Sequence, residues 1–141
     1  SEAKTPEEAG DIMRKAFVSD TFFASSNAIT ENGELYNVDG NGNRVSAMIF
    51  GPKQVIIVAG VNKIVKDIEA AKERVERIAA PKNTVRLNCE TPCAKTGECE
   101  RLRSGSPCHS DARICCSYVT LGQQRHPDRI KVIIVNENLG Y

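Results

Sequence analysis

QVIIVAGVNKIVKDIEAAKERVERIAAP, residues 54–81, passes from a strand pattern to a helix pattern, and this change of period sets the expected fold. Gln54 to Val61 is an unbroken, largely β-branched run, the signature of a strand covered on both faces. Ile64, Val65, Ile68, Ala71, Val75, Ile78 and Ala79 then keep helical spacing, and Glu73 faces Arg77 one turn on. Pro81 is expected to stop this helix. Thr84-Val85-Arg86-Leu87 reads as the next strand, so the unit fits a crossover between parallel strands.

Upstream, Thr5-Pro6-Glu7-Glu8 is a helix start: Thr5 caps, Pro6 suits the first position, and both acids oppose the dipole. Ile12, Met13, Ala16 and Phe17 fall on one face of that helix, which is expected to face the core. Thr21 to Thr30 reads as a strand turning into a polar loop. Asn32-Gly33 supplies a hairpin turn before a short strand, Leu35 to Val38. Asp39-Gly40-Asn41-Gly42-Asn43-Arg44 is a tight, glycine-rich bend, followed by an expected strand from Val45 to Phe50. Downstream, Ser117 to Gln123 and Arg129 to Asn136 read as two strands joined by Gln124 to Asp128, a connection short enough for an antiparallel hairpin. The expected fold is α/β, a mixed sheet with helices packed on it and an antiparallel hairpin at the carboxyl end.

The 141 residues suit one domain, and 19 basic against 18 acidic side chains leave a net charge of +1. That balance argues against nucleic acid or an anionic membrane as an obligate partner. No apolar run approaches the roughly 20 residues needed to cross a bilayer, and no signal-peptide pattern opens the chain. The cytoplasm is the expected compartment, where clustered cysteines favour metal over disulfides. The chain begins with Ser rather than Met, so a shortened domain lacking its N-terminal part is part of the expectation.

All six cysteines lie in residues 89–116, CETPCAKTGECERLRSGSPCHSDARICC. Four soft thiolates in a loop can enclose zinc or hold an iron–sulfur cluster, and the sequence does not decide between them. Cys115 and Cys116, adjacent at a strand start, point to opposite faces, so both cannot ligate one centre. Cys89 directly follows a strand-like run. The expected metal ligands are therefore Cys93, Cys99, Cys108 and Cys115, with Cys89 and Cys116 packed in the frame and His109 a lower-ranked nitrogen donor. Lys95, Arg101, Arg103 and Arg113 are near enough in sequence to offset surplus thiolate charge. Disulfides, free thiols or a nucleophilic Cys93 beside Lys95 are the competing readings. A second candidate site gathers polar residues at strand ends: Asn27, Asn41, Asn43, Arg44, Asn62 and Lys63, for a small anionic metabolite.

SSNAITENGELYNVDGNGNRVSAMIFGPKQVIIVAGVNKIVKD, NCETPCAKTGEC, ARIC and the terminal VNENLGY together resemble the lactate-utilisation (LUD) domain family, in its short cysteine-containing branch. The resemblance runs from about Pro6 to Tyr141. It implies a Rossmann-like three-layer fold akin to the sugar-phosphate isomerase, CoA-transferase and folate cyclo-ligase group. It also implies an association with lactate or other organic-acid oxidation and with iron–sulfur proteins. Relatives carry a further βα region upstream and place a cysteine three residues after the one matching Cys99. Here that position is Leu102, and the cysteine appears later, as Cys108. Three functions compete: a metal- or cluster-binding redox accessory, an enzyme or binding protein for a phosphate, CoA or folate derivative, and a structural subunit. A shortened sheet would expose strand edges and apolar surface, which leads to the expectation of a homo-oligomer.

Overall fold

The strands divide between two sheets. The computed structural model describes residues 3–141. In chain order, α1 (Pro6–Lys15) runs into a 3-10 turn, and β1 (Thr21–Ala24), β2 (Ala28–Thr30) and β3 (Leu35–Asp39) follow. Next come α2 (Asn43–Ile49), β4 (Gln54–Gly60) and a short β5 (Ile64–Val65). One long helix then comprises α3 (Ile68–Arg74), a π-helical turn at Val75–Ala79 and α4 (Ala80–Arg86). Short helices α5 (Pro92–Thr96) and α6 (Glu100–Ser104) lead to β6 (Ser117–Leu121) and β7 (Ile130–Val135).

β1, β4 and β7 make a parallel sheet with β4 in the centre; the second sheet runs β5-β2-β3-β6 and is mixed. Alternation along the second sheet builds two cores from one layer. Ala28 and Tyr36 pack with Ala71, Val75, Ala79 and Ala80 of the long helix. Ile29 and Leu35 turn the other way, onto Met48 of α2 and Val55, Ile57 and Ala59 of β4. The second sheet is thus the middle layer, between the long helix and the α2–parallel-sheet layer. The mixed α/β class is as expected; the single sheet is not.

Four local expectations need correction. Val45 to Ile49 is helix, because the Asp39 carboxylate accepts the Arg44 and Val45 N–H groups, and Arg129 donates to the closing carbonyls of Ala47 and Met48. The helix continues through Pro81: the wider π turn ends at Ala79, two residues before the proline that lacks an N–H, so Thr84 to Arg86 is helix too. The carboxyl-terminal strands do not form a hairpin. β6 pairs antiparallel with β3, while β7 pairs parallel with β4. Finally, Thr5 caps α1 as expected, yet α1 buries no residue; Phe17 beyond it packs against Gly51.

β4 is covered on one face only among the described residues. Val55, Ile57 and Ala59 are fully buried, while Phe23 and Ile133, its neighbours on the outer face, are 68% and 50% exposed. The unbroken apolar run therefore reflects strand propensity as much as burial. No helix among the described residues is long and apolar enough to cross a membrane.

Candidate functional site

The cysteine region is built from capped turns. The long helix ends at a left-handed residue, Asn88, with the Cys89 N–H returning to the Thr84 carbonyl. Thr91 caps α5 through the Ala94 N–H, Pro92 takes the first position, and Gly97 closes it with positive φ. Cys99 opens α6, which Gly105 closes in the same way. Thr-Pro ahead of a glycine five residues on was a readable helix signal, though this stretch was expected as loop.

These turns bring Cys93, Cys99, Cys108 and Cys115 to the lining of one cavity of about 670 Å³, walled by Val75, Glu76 and Ala80 of the long helix and by Tyr36 and Tyr118. Cys93 is buried, its sulfur 3.4 Å from Thr84 Oγ1 and 3.3 Å from Thr91 Oγ1. Burial pushes the Cys115 thiol up to about 11, with the neighbouring Cys93 and Cys99 thiols adding to the effect. Burial also raises Cys99, against the backbone N–H of Arg101. Nevertheless, among the described residues no three His, Cys, Asp or Glu side chains are grouped closely enough to hold a metal ion. Cys89 and Cys116 lie outside the lining. Cys116 is exposed, contrary to the expectation that it packs in the frame, because it precedes β6 on the side away from the cavity-lining Cys115. His109 is exposed and does not line the cavity.

Of the basic residues expected to offset thiolate charge, three are paired with carboxylates: Lys95 with Glu90, Arg101 with Glu76 and Arg103 with Glu100. Arg113 braces the loop instead, donating to the Cys108 and Cys115 carbonyls and to the Tyr118 hydroxyl.

A second cavity, about 560 Å³, opens at the carboxyl ends of β1, β3 and β4. Four of the six polar residues expected at a strand-end site line it: Asn27, Asn41, Arg44 and Lys63. Asn43 and Asn62 do not. Asn43 begins α2, and Asn62 tethers the carboxyl terminus by accepting from the Leu139 N–H and donating to the Gly140 carbonyl. Arg44 is committed to structure. Its Nη1 serves the Ser25 carbonyl and Asn37 Oδ1, its Nη2 the Val38 carbonyl and Asn27 Oδ1, so both terminal nitrogens are taken. Lys63 is different: it is 7% exposed and makes one hydrogen bond, to Ser25 Oγ at 3.0 Å. Ser25 belongs to the polar strand end that the sequence marks between Thr21 and Thr30, whereas Arg74 and Asn83 carry no sequence signal and their roles depend on distant partners.

Val75, Ala80, Ile114 and Cys115 line both cavities, so a single layer of residues separates them. The π turn lies at that partition, a placement common for such turns at functional sites.

Comparison with curated proteins and with solved structures gave no significant match. The family model described as LUD domain matches residues 1–135, nearly the whole chain, and spans both cavities apart from the last residues of the second. On that match the chain belongs to the lactate-utilisation (LUD) domain family.

Proposed function

We propose that this LUD-domain chain is a redox accessory of lactate or other organic-acid oxidation, with Cys93, Cys99, Cys108 and Cys115 as thiolate ligands of an iron–sulfur cluster. The observation that carries the reading is convergence. Two short helices, a loop and the approach to β6 each contribute one cysteine to the same cavity, while the other two cysteines stay outside it. Thiolates are the ligand class that such clusters take, and a bound cluster would supply one-electron transfer.

All four donors are thiolates, the ligand class that iron–sulfur clusters take. Tetrahedral zinc at about 2.3 Å from each sulfur requires sulfurs about 3.8 Å apart. The described side chains offer no such close group. A cluster spreads its thiolates around an inorganic core, as an open cavity allows. Burial favours neutral thiols at Cys99 and Cys115, so loading must release protons. Arg113 fixes the Cys108–Cys115 loop, and Thr84 and Thr91 orient the Cys93 sulfur. Tyr36, Val75 and Ile114 line the cavity with apolar surface that limits water.

Anaerobic purification with iron and sulfide analysis tests the reading. The expected protein is brown and contains both elements, and Cys93→Ser, Cys99→Ser, Cys108→Ser and Cys115→Ser each lose them, while Cys89→Ser and Cys116→Ser do not. Colourless protein with stoichiometric zinc, or unchanged iron in all four variants, refutes it.

A further inference from the structure

We propose that the cleft at the carboxyl ends of β1 and β4 binds a small metabolite through a carboxylate or phosphate group, held by the Lys63 ammonium and the Ser25 hydroxyl. This goes beyond the thiol cavity and does not rest on any cluster there.

Lys63 is buried, and its charge has no neutralising carboxylate among the described residues. Its nearest charged influences are cations, Arg74 and Arg44; burial, then Arg74, then Arg44 push its amine below the usual lysine range. Asp39 is the acidic side chain in the cleft lining, and its Oδ2 already accepts two N–H groups at the start of α2. A buried ammonium without a partner is costly. A bound anion would offset that cost.

Free donors in the cleft are few. Arg44 has both terminal nitrogens occupied, and Arg74 spends Nε and Nη1 on the Asn62 and Asn27 carbonyls. An ammonium has three protons, and Lys63 uses one, on Ser25 Oγ. Ser25 accepts that bond, so its own proton remains to be donated. Both residues line the cleft just beyond the last residues of β4 and β1, and both therefore face one opening. Asn83 and Arg86 line the same cleft from α4, with the Asn83 oxygen turned to Arg86 and Tyr141 and its amide N–H₂ available. The volume of about 560 Å³ lies within the ordinary range for small-molecule sites.

The test uses the whole chain with inorganic phosphate and with malonate, each against chloride at matched ionic strength. Thermal unfolding and equilibrium dialysis read the outcome. The wild-type midpoint should rise by several degrees in phosphate or malonate, and the stronger of the two identifies the anion class. Lys63→Met should weaken binding about tenfold or more, the loss of a charge-assisted hydrogen bond. Its midpoint without anion should equal or exceed that of the wild type, since an uncompensated charge has been removed. Ser25→Ala, which leaves the ammonium in place, should weaken binding about threefold. A wild-type midpoint identical in all three salts overturns the proposal. So does anion binding that survives Lys63→Met, or a Lys63→Met chain less stable than the wild type.

Discussion

Replacing Arg44 by methionine separates a structural arginine from a ligand-binding one. The substitution keeps much of the aliphatic volume and removes every guanidinium bond. Three acceptors lose that donor: the Ser25 carbonyl, the Val38 carbonyl and Asn37 Oδ1. Asn27 Oδ1 keeps a partner in the Val38 N–H. At about 1–3 kcal/mol per orphaned group, with Asn37 fully buried and the Ser25 and Val38 carbonyls partly so, the gross loss is about 3–9 kcal/mol. Removing a cation whose burial already pushes its pKa down returns several of these. The net expectation is a loss of about 3 kcal/mol, a midpoint lowered by roughly 10 °C. Urea unfolding followed by far-ultraviolet circular dichroism measures it, with an unchanged slope showing that stability alone has moved. A loss under about 1 kcal/mol would refute the keystone role. Loss of phosphate binding at unchanged stability would return Arg44 to the ligand site.

Gly60→Ala should cost more than about 2 kcal/mol, because the added Cβ would run into the Glu137 carbonyl and lie 2.5 Å from Asn62 Oδ1 and the Leu139 backbone nitrogen. Urea unfolding that shows a loss under about 0.5 kcal/mol contradicts that close approach. Thr91→Ala should cost about 1 kcal/mol through the lost α5 cap, and Thr91→Ser should restore most of it in the same assay. The stability difference between Lys63→Met and wild type should depend on pH. Lys63 is depressed in the folded chain, so the unfolded chain holds more protons between the folded value and the ordinary value of about 10.4, and wild-type stability gains with rising pH in that window. The advantage of the variant should therefore shrink toward high pH. A difference that is flat or grows with pH counts against the buried ammonium.

The polar strand ends show why a site can be half legible. Asn27, Asn41, Asn43, Arg44, Asn62 and Lys63 all follow expected strands in the sequence, and the structure brings four of the six, all but Asn43 and Asn62, to one cleft. Which of them can meet a ligand depends on what their donors already satisfy. Arg44 is taken by carbonyls from β3 and from the turn after β1, whereas Lys63 retains free protons. Nothing in the spacing of these residues distinguishes the two.

The sequence by itself determined the elements whose signals are local. The strand at Gln54–Gly60, the Thr5 cap, the turn at Asn32-Gly33 and the Glu73–Arg77 pair all rest on neighbours within a few residues. The long runs shared with the LUD family also lie in the sequence. Tertiary structure alone decided which sheet each terminal strand joins, since β6 and β7 pair with strands tens of residues away. It decided that Val45–Ile49 is helix, because that helix is completed by Arg129 from across the fold. It carried the helix past Pro81 by widening one turn. Packing likewise gathered four thiols in one cavity and left a buried lysine with no carboxylate partner among the described residues. Periodicity reports the face a residue presents; the groups that satisfy its charge and hydrogen bonds arrive only when distant segments close around it.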